Sequence, residues 1–327
     1  MATSRLGLPA SFLLASALSL AALPASAADS TFERTLKVGT GTTRIELSNG
    51  SGNVEIRPGA DGQVHIRGKV TPGSWSIFGD SSKNAEQVVS NPPIEQSGNT
   101  IRIGKTSNWV KNVSIEYWIE TPKDSEVDAG VASGGITVDQ LRGPVKASSA
   151  SGYVHVYRID SDTQVSAASG SIDVATIGGF LKANSASGDV RIADVKGEVN
   201  VNAASGSIRI TRPGDRVEAS SASGSLEIDG ARSDLKAHLI SGSINVTGNP
   251  TGNRFWDLKT VSGSVDLRVP PSSSFLLSAE STSGGIRTDI PVVIEEQNKH
   301  SIRAHVGDSS GRIQVRTVSG GITVSGS

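Results

Sequence analysis

The chain has 327 residues, 31 basic against 32 acidic side chains and no cysteine, so disulfides, thiol nucleophiles and thiolate metal sites are all excluded. Charges of both signs are interspersed, which leaves no basic surface suited to nucleic acid or to an anionic membrane. Aromatic residues make up 4% of the chain against 37 glycines, and that suits a thin core repeated many times better than one thick core.

The first 30 residues carry one arginine, Arg5, then an apolar stretch centred on Phe12–Leu23, then Ala25-Ser26-Ala27. This pattern predicts a secretory signal peptide over residues 1–27, with the mature chain starting near Ala28. The apolar stretch is short and interrupted by serine, against the roughly 20 apolar residues that a membrane span needs. No later segment is apolar enough to cross a bilayer. Without a cysteine at the cleavage site the lipoprotein route is closed, so the expected location is the periplasm, the outer cell surface or the medium. An exported chain without disulfides fits a bacterial envelope.

Residues 28–128 read as N-terminal rungs or a cap. RIELSNGSGNVEI places Ile45 and Leu47 before a Ser-Gly pair and Val54 and Ile56 after it. GQVHIRGKV and NTIRIGK read as further strands. Between them a long insertion at 71–98 breaks the rhythm and holds Trp75, Ile77 and Phe78. Exposed aromatics in such a loop stack on sugars or enter a partner; the same residues would also serve to cap the open end of a stack.

From residue 129 to 327 the sequence is a regular array. The Ser of a recurring Ser-Gly pair falls at 133, 151, 169, 187, 205, 223 and 241, every step being 18 residues, and again at 262, 283 and 319. A fixed period held this long is the mark of a solenoid. Three and five residues after each Ser stand aliphatic side chains such as Ile172 and Val174, and six and four before it stand others such as Leu181 and Ala183. The spacing of two, with β-branched residues, predicts strand, Ser-Gly corner, strand. A second corner is expected near Gly143, Gly179, Gly197 and Pro213-Gly214, where glycine permits a positive φ. The predicted fold is all-β: a single elongated parallel β-solenoid (β-helix) with 18-residue rungs, some carrying longer insertions. The corner serines are expected to bond within the turn or to the serine above.

These segments resemble a known family. The strand pair Ile45–Ile56, the run YWIETPKD at Tyr117–Asp124, the repeated A-S-G-x-I-x-V rungs and the closing VSGGITV are similar to the bacterial putative-adhesin family, a domain of unknown function built as a parallel β-helix. The resemblance covers roughly Phe32 to Val324. It implies an envelope or surface protein and offers no catalytic residues to carry over.

Candidate sites follow from the columns. Four residues after each corner Ser, Asp173, Arg191, Arg209 and Glu227 form an outward row of neighbouring charges, which reads as an active-site row or as a solvated charge ladder worth about 0–1 kcal/mol per pair. The ladder is the reading adopted: no catalytic, cofactor or metal site is expected. The five histidines show no metal-ligand spacing. If residues two, four and six before each Ser point inward, those one and three before it point outward. That gives Ala150, Ala168, Ala186, Ala204 and Ala222 beside Ser148, Ser166, Asn184, Asn202 and Ser220, a flat, small, uncharged interaction strip. Its plain alternative is that a crowded corner tolerates only alanine. The expected function is a non-enzymatic envelope or surface interaction module, with an envelope polymer or a protein as partner and no nucleic acid. The alternative is a carbohydrate-active β-helix enzyme, which requires a deep groove with convergent carboxylates. Ice or mineral binding through the strip lacks the regular Thr ladders it would need.

Overall fold

The computed structural model describes residues 30–73, 81–104, 113–250, 252–308 and 310–327. The predicted signal peptide and the Trp75, Ile77 and Phe78 loop lie outside the described residues. Two long sheets, of 14 and 15 strands, run side by side. Each rung gives one strand to each sheet, as Val145–Ser151 and Val154–Ile159 do, and successive rungs pair in parallel, in one register from Val145 to Pro213 and with a shift at Asp229/Ala231. The β-solenoid expected from the period is therefore the observed fold.

The core lies between the sheets. Inward side chains such as Val154, Ile172 and Val190 on one sheet and Val145, Leu181 and Val199 on the other are almost wholly buried. A fully buried aliphatic side chain contributes about 1.5–3 kcal/mol, so a rung gains its stability by stacking on its neighbours. A third inward column, absent from the sequence reading, follows Leu141, Ile159, Ile177, Val195 and Pro213. The chain reaches it through a left-handed residue one position earlier: Gln140, Arg158, Thr176, Asp194 and Arg212 all have φ between 50° and 62°. That turn aims the next side chain into the core.

Glycine is obligatory at the first corner for two reasons. Gly188 has φ +130°, and a Cβ there would come within 2.1 Å of the Gly170 carbonyl oxygen. At the second corner the expectation of positive φ is wrong. Gly143 and Gly197 have no left-handed φ; instead a Cβ would meet the Ser125 carbonyl at 2.2 Å and the Gly179 carbonyl at 2.5 Å. Close stacking of backbone excludes a side chain there, and the positive φ falls on Gln140, Arg158 and their equivalents.

At both ends the spatial order departs from the chain order. The strands of the first rung, Arg44–Ser51 and Val54–Pro58, are inserted between the rung of Thr100–Ile103 and Val113–Thr121 and the rung of Glu126–Ser133 and Ile136–Asp139. The last rung, Gly311–Ser319 and Ile322–Gly326, likewise sits between the rungs that begin at Phe255 and at Phe275. Antiparallel strands close the stack beyond these points. Gln63–Pro72 and Ser30–Lys37 do so at one end, where helix Ser81–Ser90 packs on them with Ala85 and Val88 buried; Ser301–Val306 and Val293–Gln297 do so at the other. Such strands blunt the parallel edge against further pairing.

Candidate functional site

The site is built by a break in alternation. Strands Val145–Ser151, Thr163–Ser169 and Leu181–Ser187 share one burial pattern, alternating until two exposed residues, an alanine and the corner serine, follow in succession. A period of two cannot expose two neighbours on an undistorted strand, so each strand bends there. The ladder confirms the bend: Ser149 pairs with Ala167 and Ser151 with Ser169, and the alanines between them drop out.

Stacked in register, the bends form a trough. Its volume is about 880 Å³, and it is lined over six consecutive rungs from Ser48 and Asn49 to Asn202, Ala203 and Ala204. At about 4.8 Å per rung it is roughly 24 Å long. Ala150, Ala168, Ala186 and Ala204 line it together with Ser148, Ser166, Asn184 and Asn202, as the column argument placed them. Ala222 and Ser220 belong to the next rung and lie beyond the lining. The strip expected from the columns is a shallow, widely open depression, with the backbone bending at each rung.

Hydrogen bonding at the corner also differs from expectation. Where the residue two before the corner Ser is Ser or Thr, its hydroxyl donates to the backbone. Ser149 Oγ reaches the Gly134 carbonyl at 2.9 Å, Thr260 Oγ1 the Gly242 carbonyl at 3.1 Å and Ser281 Oγ the Gly320 carbonyl at 2.9 Å. The rung-to-rung hydroxyl contacts fall two residues after the corner Ser, between Ser207 and Ser225 at 3.1 Å and between Ser243 and Ser264 at 3.2 Å. Corner carbonyls that would otherwise lack donors are satisfied this way. The trough floor has therefore spent hydroxyls on the fold, and what faces outward is methyl groups with a Ser/Asn lip and no charge.

The other candidates sit elsewhere. Asp173 and Arg191 are register neighbours on the opposite sheet, yet Arg191 pairs with Asp189 of its own rung at 3.4 Å. Arg209 and Glu227 do pair across rungs, at 2.5 Å, with Arg209 side-chain exposure of 60%. Carboxylates come closest to converging in a polar depression of about 410 Å³ lined by Glu227, Asp229 and Asp266. Among the described residues no group of three or more His, Asp or Glu is disposed to hold a metal ion. His300 Nδ1 donates to the Ser281 carbonyl at 3.1 Å, and His305 pairs with Glu295. Among the described residues, no helix is long and apolar enough to cross a membrane.

The most tightly held charge lies beyond the trough. Asp257 is 13% exposed and receives Lys259 Nζ at 2.6 Å and His238 Nε2 at 3.0 Å, both on one oxygen. Burial alone would raise its carboxyl pKa, but the hydrogen bonds and charges of Lys259 and His238 outweigh burial and hold it below the usual value.

Comparison with known proteins gives the family. Residues 42–325 match Toastrack DUF4097, and the chain belongs to that family, a domain of unknown function as the sequence resemblance implied. Among curated proteins no relative matches. Similar solved structures include a putative cell adhesion protein from Clostridium sporogenes, 12% identical over 91% of this chain and 100% of that one, TM-score 0.21. Others are putative adhesins from Parabacteroides distasonis, 12% identical over 91% and 97%, TM-score 0.31, and from Bacteroides fragilis, 14% identical over 91% and 97%, TM-score 0.25. At such TM-scores these likenesses carry no argument for this chain.

Proposed function

We propose that this chain is an exported, non-enzymatic interaction module of the cell envelope or surface, adhesin-like, that docks an extended uncharged partner along the trough. The partner would be a glycan chain or an extended peptide segment. The trough accommodates a polymer better than a compact molecule, because it repeats one small set of contacts from rung to rung. The sequence of residues 1–27 supports export.

One observation carries the reading. The alanine column does not end at Ala222: it continues through Ile240, Val261 and Val318, which stand 61%, 49% and 49% exposed at the equivalent corner positions. A corner that takes isoleucine and valine with their side chains in solvent does not demand alanine. On this reading the small residues from Ala132 to Ala222 are kept for the surface they shape rather than for packing.

The test is a binding screen of the purified mature protein against glycans and cell-wall polymers, run beside detection of cleavage products. Saturable binding without cleavage, lost in the Ala186→Lys, Ala204→Lys variant, is the expected result. Binding unchanged in that variant would remove the trough as the site. Depolymerised product would instead favour the enzyme reading and direct attention to Glu227, Asp229 and Asp266.

A further inference from the structure

The opposite sheet carries a feature that the trough does not use. Tyr153, His155 and Tyr157 all turn outward along one rung and are half-buried. Tyr153 and His155 stack with centroids 4.4 Å apart and planes 27° apart; His155 and Tyr157 follow at 5.9 Å and 41°. The Tyr153 ring rests over Gly135 of the preceding rung, where a Cβ would come within 2.1 Å of it. Three rings are thus in continuous contact on a solvent-facing surface.

The fold does not ask for rings there. The same three positions hold Ser171, Asp173 and Ala175 on the next rung, then Asp189, Arg191 and Ala193, then Ser207, Arg209 and Thr211. Yet the row takes two of the chain's three tyrosines and one of its five histidines. Carboxylates flank it on both sides. Asp139 is the register partner of Tyr157 on one neighbouring rung, and Asp173 that of His155 on the other. Asp139 gives one oxygen to Arg158, while its other oxygen is buried without a partner, so its part here is a flanking negative charge. Burial first, then the charge of Asp173 and its hydrogen bond with the phenol, raise Tyr157 above its ordinary pKa, so this ring is fixed by the Asp173 carboxylate.

We propose that Tyr153, His155 and Tyr157, with Asp139 and Asp173, form a binding station for a neutral polysaccharide. Ring surfaces left free accept the C–H face of a sugar ring, and the Asp173 carboxylate, held by Tyr157, meets its hydroxyl groups. Charged ligands fit less well: an anion meets Asp139 and Asp173, and a cation meets Arg158. The surface is an open sheet face, on which a polymer gains contacts that a single sugar cannot. Trp118 stands outward in the same column as His155, three rungs away through Glu55 and Thr137, with Arg67 4.9 Å above its ring. At about 4.8 Å per rung the two aromatic stations are roughly 14 Å apart, so one chain laid along the stack passes both.

The station is tested by affinity electrophoresis of the mature protein in gels containing a soluble β-glucan, a xylan or hydroxyethyl cellulose. The informative variant is Tyr153→Ser, His155→Asp, Tyr157→Ala, because it copies the side chains that the next rung already folds with. At least one glycan is expected to retard the natural protein, with affinity about tenfold or more weaker in the variant at unchanged thermal unfolding. Ala186→Lys should leave this retardation intact, which separates the station from the trough. Retardation that survives in the triple variant, or its absence with all three glycans, overturns the proposal.

Discussion

Two stretches of one corner teach different lessons. From Val145 to Pro213 the corner is hollow, with alanine one residue before every Ser and neutral Ser or Asn three before it. From Leu235 to Ser319 the same corner is filled by Ile240, Val261 and Val318, and the column three before the Ser becomes His238, Lys259 and Arg316. The corner backbone is alike in both: parallel pairing across it, with left-handed glycines at Gly152, Gly170, Gly188 and Gly206 in the first and at Gly242, Gly263 and Gly320 in the second. Corner pairing and inward columns therefore persist through both stretches, whereas the outward side chains change midway. What is uniform belongs to folding, and what changes is free to serve binding.

The largest expected effect tests the uniform part. Gly188→Ala in the hollow stretch and Gly263→Ala in the filled one place a Cβ 2.1 Å from a carbonyl oxygen, at φ +130° and +149°. Each should cost about 3 kcal/mol in urea denaturation, and the two losses should agree. A corner that tolerated alanine in one stretch only would show that the backbone differs between them after all.

Next in size is a gain. Thr163 stands in an inward column between Val145 and Leu181, fully buried, with a hydroxyl that has no partner. Thr163→Val removes a desolvated polar group and should stabilise by about 1 kcal/mol. The filled stretch has its own buried polar group in Asp257, whose effect depends on pH. Its folded pKa lies below the unfolded value of about 3.9, so its stabilising contribution is present above that value and is lost as pH falls through the folded one. Asp257→Asn should therefore lower stability at pH 7 and flatten the acid limb of a stability–pH profile below about pH 4. The same limb should persist unchanged in variants of the hollow stretch.

How much of this the sequence revealed depended on whether a feature is local. The 18-residue period, the inward columns and the Ser-Gly corner were legible because each follows from spacing within one rung. The left-handed column was not, since Gln140, Arg158, Thr176, Asp194 and Arg212 share no residue type that favours such a φ; the stack imposes it. Nor was the intercalation of the first and last rungs, because rungs with interchangeable columns fit beside one another in any order and only long-range pairing decides. At the candidate site the residues were legible and the shape was not. Alternation identified Ala186 and Asn184 as outward, but the bend that makes them line a trough needs two exposed neighbours, which hydrophobic patterning does not encode.

The smallest expected change bears most directly on the comparison. Ala186→Ile places in the hollow stretch the side chain that Ile240 already carries in the filled one. If the corner tolerates either residue, stability should stay within about 0.5 kcal/mol, as for other exposed substitutions. Partner binding along the trough should nonetheless fall, because an isoleucine on the fifth of six rungs obstructs any chain laid through them. The converse, Ile240→Ala with Val261→Ala and Val318→Ala, should be equally silent in stability and extend the hollow toward the C-terminal end. A substantial loss of stability in Ala186→Ile would mean that the corner is crowded in this stretch and that alanine is there for packing. The trough would then be a by-product of the fold, and the aromatic station on the opposite sheet would remain as the surface to pursue.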